Sequence, residues 1–127
     1  MATRQGCRVL VVDDNVDNVE SLSMLLRVLG HEVATASDGL QALEATQTFR
    51  PDVVLLDIGL PNLDGYEVAE RIRARQNGAT IRLVAITGWT RDDEEVRAKQ
   101  AGFDHHLTKP VDPKRLEAII ASMCPGK

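Results

Sequence analysis

Short apolar runs alternate with amphipathic segments along the whole chain, and that rhythm admits few folds. RVLVVD (8–13), EVATA (32–36), DVVLLD (52–57), IRLVAIT (81–87) and DHHLT (104–108) have the length and pattern of strands. Between them, apolar residues recur at helical spacing. Val19, Leu22, Leu26 and Leu29 form one such series, and Leu40 and Leu43 fit a helix over about 39–48. Val68, Ala69 and Ile72 form a third, and Leu116, Ile119, Ile120 and Met123 a further one. The charged RDDEEVRAK (91–99) predicts an exposed helical face anchored by Val96 and Ala98. Gly30, Gly78 and Gly102 stand where helices should stop, and Asp64 is placed to cap a helix starting near Gly65. The order is (βα)5. It predicts an α/β fold with a doubly wound, five-stranded parallel sheet, right-handed crossovers and helices on both faces. Strands one and three, apolar almost throughout, are then buried on both sides.

A strand buried on both sides has no room for a carboxylate, so acids gather at its carboxyl end, where open α/β folds place their binding crevice. Asp13 and Asp14 end strand one, and Asp57 ends strand three. Thr87 follows strand four and Lys109 follows strand five. Two carboxylates about 4 Å apart repel by roughly 4 kcal/mol at an effective dielectric near 20, so protons or a cation must offset the cluster. An all-oxygen donor set open to water suits Mg²⁺ or Mn²⁺ better than zinc. A metal, a hydroxyl and an ammonium around one carboxylate form a cradle for a phosphoryl group, with Asp57 as the nucleophile of an acyl phosphate. The plainer alternatives are helix capping for Asp13 and Asp14, a strand-end hydroxyl for Thr87 and a solvated cation for Lys109.

At 127 residues and 43% hydrophobic, the chain suits one domain over 1–127 with a core from about 7 to 123. A net charge of -4 and only 3% aromatic residues argue against direct nucleic-acid binding. No stretch approaches the roughly 18 apolar residues of a membrane span, so a soluble, cytoplasmic protein without membrane contact is expected. Cys7 and Cys124 have no CxxC spacing, which predicts two reduced thiols rather than a disulfide or a zinc site. His31, His105 and His106 likewise lack the spacing of a metal triad.

The segments VVDDN (11–15), LLDIGLPNLDGYE (55–67), AITGW (85–89) and TKP (108–110) together resemble the receiver domain of two-component response regulators, over nearly all of the chain. The resemblance implies a flavodoxin-like sheet of order 2-1-3-4-5, which sets strands one and three side by side where the winding reverses. It implies that Asp57 is the phosphoacceptor and also a metal ligand. Asp13 and Asp14 match the acidic pair that organises the cation, Asp14 directly and Asp13 through water, and the backbone carbonyl of Gly59 matches the main-chain ligand. Thr87 matches the hydroxyl that moves onto the phosphoryl group, Lys109 matches the cation that contacts it, and the bond to Pro110 is cis in the family. The implied function is to accept a phosphoryl group from a histidine kinase or a histidine phosphotransfer protein. The signal would leave through the face of helix 4, strand 5 and helix 5, in a monomer or a phosphorylation-dependent dimer. Such a domain is no enzyme beyond its own phosphorylation and dephosphorylation. AGFDHHLTKPVDPKRLEAII (101–120) resembles receivers at the C-terminus of hybrid sensor kinases, so a kinase fragment and a free-standing regulator both remain open.

The chain departs from the family pattern at two places. His106 stands three residues before the lysine, where receivers carry the Tyr or Phe that acts with Thr87 as a switch. Gly88 and Trp89 follow Thr87, where Ala is common; Trp89 is the one tryptophan and a natural fluorescent reporter of that loop. Two other functions compete. A metal-dependent phosphotransferase or phosphatase would need a second acid two positions after Asp57, and the chain has Gly59 there. A non-phosphorylated scaffold, or pseudo-receiver, would not need the complete set of acids, hydroxyl and lysine.

Overall fold

In a computed structural model, residues 6–59, 65–75, 80–88, 92–109 and 111–124 are described. Among them the strands are β1 (Arg8–Val12), β2 (Glu32–Ala36), β3 (Val53–Asp57), β4 (Arg82–Thr87) and β5 (His105–Thr108). They alternate with helices α1 (Val16–Val28), α2 (Gly39–Thr48), α3 (Gly65–Arg73), α4 (Asp92–Ala101) and α5 (Pro113–Met123). The strands form one parallel sheet in the order β2-β1-β3-β4-β5, as the resemblance implies.

Successive side chains of a strand point to opposite faces, and here both faces are apolar. Val9, Val11, Val53, Leu55, Val84, Ile86 and Leu107 pack with Leu26 of α1 and Leu116 and Ile120 of α5. Leu10, Val12, Val54, Leu56, Leu83 and Ala85 pack on the other face against Ala42 and Leu43 of α2, Val68, Ala69 and Ile72 of α3, and Ala98 of α4. All five residues of β3 are buried. The two edge strands are shorter or more polar, with patterns of partial exposure in β2 and β5.

Gly30 and Gly102 stop α1 and α4 as expected, at φ of 97° and 105°. The amide after each closes back onto the helix, His31 to the Leu26 carbonyl at 3.0 Å and Phe103 to that of Ala98 at 3.0 Å. Two expectations change. Val96 does not anchor α4, being 55% exposed; the helix rests on the small residues Ala98 and Ala101, with the Arg97 guanidinium 4.1 Å above the Tyr66 ring. The cysteines are not two reduced thiols: Cys7 and Cys124 are joined in a disulfide, with Cα atoms 5.5 Å apart across a separation of 117 residues. The reason is topological. A helix following a parallel strand runs back to the sheet's amino edge, so α5 ends beside the start of β1, which no local cysteine spacing reveals. Asp64, Gly78, Trp89 and Pro110, with the roles expected of them, lie outside the described residues.

Candidate functional site

The parallel register brings the predicted groups to one edge of the sheet. Asp13 directly follows β1, Asp57 is the last residue of β3, Thr87 the last of β4, and Lys109 directly follows β5. β1 and β3 are neighbours, with Val12 opposite Leu56, so the acids beyond them meet. Carboxylate oxygens of Asp13, Asp14 and Asp57 all lie within 4.8 Å of one another. Asp13 and Asp57 are buried while Asp14 is exposed, so the cluster has a closed inner side and an open outer one. Lys109 reaches in from across the sheet, its Nζ 3.2 Å from Asp57 Oδ2 and 3.7 Å from Asp13 Oδ2. Its own amide donates to the Thr87 carbonyl at 2.7 Å, tying the ends of β4 and β5 together. Thr87 is buried one residue beyond Ile86, the Cα partner of Asp57.

The loops hold these carboxylates with backbone amides. Gly59 N–H donates to Asp57 Oδ1 at 3.0 Å, and Asn15 N–H to Asp13 Oδ1 at 2.9 Å. Asn18 Nδ2 donates to Asp13 Oδ2 at 3.5 Å. Capping of α1 falls to Asn15, whose side chain accepts from the Asn18 amide at 3.1 Å. The alternative of Asp13 and Asp14 as the α1 cap is thereby set aside, and both are left to the cluster. Sequence reasoning missed Asn15 and Asn18, although an Asn following paired acids at a strand end is itself a cap signal.

Three carboxylates against one ammonium leave the cluster with excess negative charge. Burial pushes the Asp13 carboxyl up, assisted by Asp57 against the opposing pull of the Asn15 amide and Lys109. Burial pulls the Lys109 ammonium down, but its hydrogen bond to Asp57 and the charges of Asp57, Asp13 and Asp14 outweigh that and hold it above the ordinary 10.5. The donor set is all oxygen and partly open to solvent, which fits a hard divalent cation such as Mg²⁺. A cleft of about 430 Å³ lined by Asp13, Asn18, Leu22, Ile86, Lys109 and Val111 adjoins the same residues.

A consequence for stability follows from Asp13. Its folded carboxyl is raised above the ordinary 3.8, so the folded state binds the extra proton, and stability from this group is gained as pH falls through the raised value. Asp13→Asn should therefore stabilise the metal-free protein at neutral pH, by about 1 kcal/mol, through removal of a buried carboxylate charge that also faces Asp57. Melts in chelator from pH 4 to 8 check this: the variant's advantage should be largest near pH 8 and shrink toward pH 4.

Residues 9–121 match the response regulator receiver domain family. The chain is 43% identical over 116 residues to the transcriptional regulatory protein PrrA of Mycobacterium tuberculosis, covering 91% of this chain and 49% of that protein. It is 32% identical over 124 residues to an uncharacterized 14.6 kDa protein of Leptolyngbya boryana, covering 98% of this chain and 95% of that one. This chain thus spans about half the length of the mycobacterial regulator and nearly all of the Leptolyngbya boryana protein. Among solved structures, it superposes with a TM-score of 0.85 on the receiver domain of the sensor histidine kinase PA1611 from Pseudomonas aeruginosa, at 34% identity, covering 93% of this chain and 97% of that one. That structure has a magnesium ion coordinated in its active site cleft. The chemotaxis regulator CheY4 of Vibrio cholerae superposes at 0.86 with 29% identity, covering 91% and 97%. Sheet order, the gathered strand-end groups and the family match agree: the chain belongs to the receiver domains of two-component response regulators.

Proposed function

We propose that this receiver accepts one phosphoryl group on Asp57, with Mg²⁺, or Mn²⁺ in its place, held by Asp13, Asp14, Asp57 and the backbone carbonyl of Gly59. The observation that carries the proposal is the meeting of three carboxylates within 4.8 Å beside an ammonium 3.2 Å from Asp57. When bound, the cation neutralises the carboxylates and the equatorial oxygens of the incoming phosphoryl group. A carboxylate oxygen of Asp57 forms the new P–O bond while the donor's bond to phosphorus breaks, and the donor leaves with that electron pair. The Gly59 amide keeps the carboxylate oriented through Oδ1. Lys109, already at Oδ2, is placed to follow the negative charge onto the phosphoryl oxygens, and the Thr87 hydroxyl serves as its second contact.

The donor is a histidine kinase or a histidine phosphotransfer protein, approaching over the cleft beside Asp13 and Lys109. The phosphorylated state is read through the α4, β5 and α5 face, in a monomer or a phosphorylation-dependent dimer. His106, half-buried on β5 as the Cα partner of Ala85, takes the place of the aromatic switch beside Thr87. A cytoplasmic location belongs to the same proposal; among the described residues no helix is long and apolar enough to cross a membrane. Direct nucleic-acid contact is not part of it, given the net charge of -4. A hydrolytic phosphatase is the weaker account. The position two residues after Asp57, where a general acid would stand, is Gly59, and what it offers Asp57 is a backbone donor.

Acetyl phosphate tests the proposal without a partner protein. With Mg²⁺ the intact mass should rise by one phosphoryl group, and chelator should prevent it. Mg²⁺ at ten times its Kd should add about 1.4 kcal/mol of stability, a Tm rise of about 5 °C. Asp14→Ala should shift both responses to higher Mg²⁺. Equal incorporation in chelator would contradict the metal-dependent site.

A further inference from the structure

A second set of reactive side chains gathers at the opposite edge of the sheet from the crevice. Cys7 directly precedes β1, His31 directly precedes β2, and Cys124 caps the end of α5. One ligand atom of each lies within 4.8 Å of the others, and the two sulfurs are bonded. His31 Nδ1 is 3.9 Å from Cys7 Sγ and accepts a hydrogen bond from the Cys7 backbone N–H at 3.1 Å. That bond fixes the tautomer: Nδ1 carries the lone pair and Nε2 the proton. Burial pushes the His31 imidazole down, against the weaker upward pull of Glu117, so the ring is a neutral base near pH 7.

The backbone builds this contact. A Cβ on Gly6 would lie 2.1 Å from the Gly30 carbonyl oxygen and 2.8 Å from His31 Cα, so only glycine lets the chain entering β1 pass so close to the turn that carries the ring. Glu32 N–H then donates to the Cys7 carbonyl at 3.0 Å and locks the two strand starts together. The sulfurs differ in access: Cys7 is 1% exposed, whereas Cys124 is only half-buried.

We propose that Cys7, Cys124 and His31 form a reversible thiol–disulfide exchange site served by low-molecular-weight thiols and their disulfides, with Cys124 the sulfur that exchanges and His31 the proton acceptor for Cys7. On closing, the Cys124 thiolate attacks one sulfur of a small disulfide RSSR, forming a mixed disulfide and releasing RS⁻. The His31 Nδ1 lone pair leaves the Cys7 backbone N–H and takes the Cys7 thiol proton instead, and the resulting thiolate attacks Cys124 Sγ and expels the second RS⁻. The imidazolium returns a proton to solvent through Nε2, and both RS⁻ ions are protonated from water. Two protein thiols have lost two electrons and RSSR has become two RSH; opening is the reverse. An ordinary thiol near pKa 8.5 is only about 3% thiolate at pH 7, so the inner sulfur depends on the base 3.9 Å away. The site shares no residue with the phosphoryl crevice. Its closure clamps the end of α5 to the starts of β1 and β2.

The whole chain, equilibrated in glutathione buffers from reducing to oxidising, quenched with acid, alkylated and weighed intact, tests the proposal. The native chain should pass in one two-electron step from doubly alkylated to unalkylated. Cys7→Ser should stop at a stable single glutathione adduct on Cys124. His31→Gln keeps an acceptor for the Cys7 amide but takes no proton, and should prolong the mixed disulfide about tenfold. Full alkylation of both cysteines in every buffer would overturn the proposal, and so would native decay of the mixed disulfide in His31→Gln. Stoichiometric Co²⁺ binding by the reduced chain, with thiolate-to-metal absorption, would also overturn it in favour of a metal site.

Discussion

Asp57→Asn should abolish phosphoryl incorporation from acetyl phosphate while leaving the chain folded. The substitution keeps the shape of a side chain that is only 7% exposed, and it keeps an oxygen to accept the Gly59 amide at 3.0 Å. It removes the charged oxygen that would form the P–O bond, and no neighbour can replace it. Asp13 is held by the Asn15 amide and the Asn18 side chain, and Asp14 is exposed at the outer side. Transfer should fall to background, a loss on the order of 10⁴-fold or more for a removed nucleophile. Removing one of three clustered carboxylates relieves repulsion while giving up the Lys109 pair, with Lys109 still 3.7 Å from Asp13, so the variant's Tm in chelator should stay close to that of the native chain. Intact mass and a thermal melt on the same sample check both halves. A modified mass in the variant would move the acceptor elsewhere.

Gly65→Ala should damage both stability and phosphorylation, against what helix propensity alone predicts. Gly65 is the first residue of α3, where exchanging Gly for Ala favours a helix by up to about 1 kcal/mol. Here a Cβ would stand 2.6 Å from Ile58 Cα and 3.1 Å from the Asp57 carbonyl oxygen, both backbone atoms with little freedom to move. The Gly65 amide also donates to the Ile58 carbonyl at 3.0 Å, so helix and loop are closed on each other at that point. Separating them should cost about 1–3 kcal/mol, and a displacement near 1 Å at Asp57 should slow transfer roughly 100-fold. A Tm at or above the native value with unimpaired incorporation would show that the loop accommodates the methyl group.

Gly65 marks the boundary of what the sequence reveals. The fold is written there because periods of two and 3.6 are local, and β3 shows its double burial as an unbroken apolar run. Family motifs also pointed to Asp13, Asp14, Asp57, Thr87 and Lys109, and the structure brings three of those carboxylates and the ammonium together. Less legible were contacts that depend on where chain segments cross. Asn18 is a side chain like many others until α1 sets it beside Asp13, and the glycine before Tyr66 gives no hint of how closely α3 meets Ile58. Val96 failed as an anchor because a short helical pattern does not fix which side of α4 faces the sheet. The disulfide was missed for the same reason on a larger scale, since Cys7 and Cys124 meet only after every strand has been laid down.

The central claim is that Asp57 itself carries the phosphoryl group, and borohydride reduction tests it most directly. An acyl phosphate is reduced to the alcohol, so a phosphorylated aspartate becomes homoserine, which tandem mass spectrometry places by residue. After treatment with acetyl phosphate and Mg²⁺, homoserine should appear at position 57 alone, and not in samples prepared in chelator. Homoserine at position 13 or 14, or a phosphoryl group that borohydride leaves in place on another residue, would contradict the account.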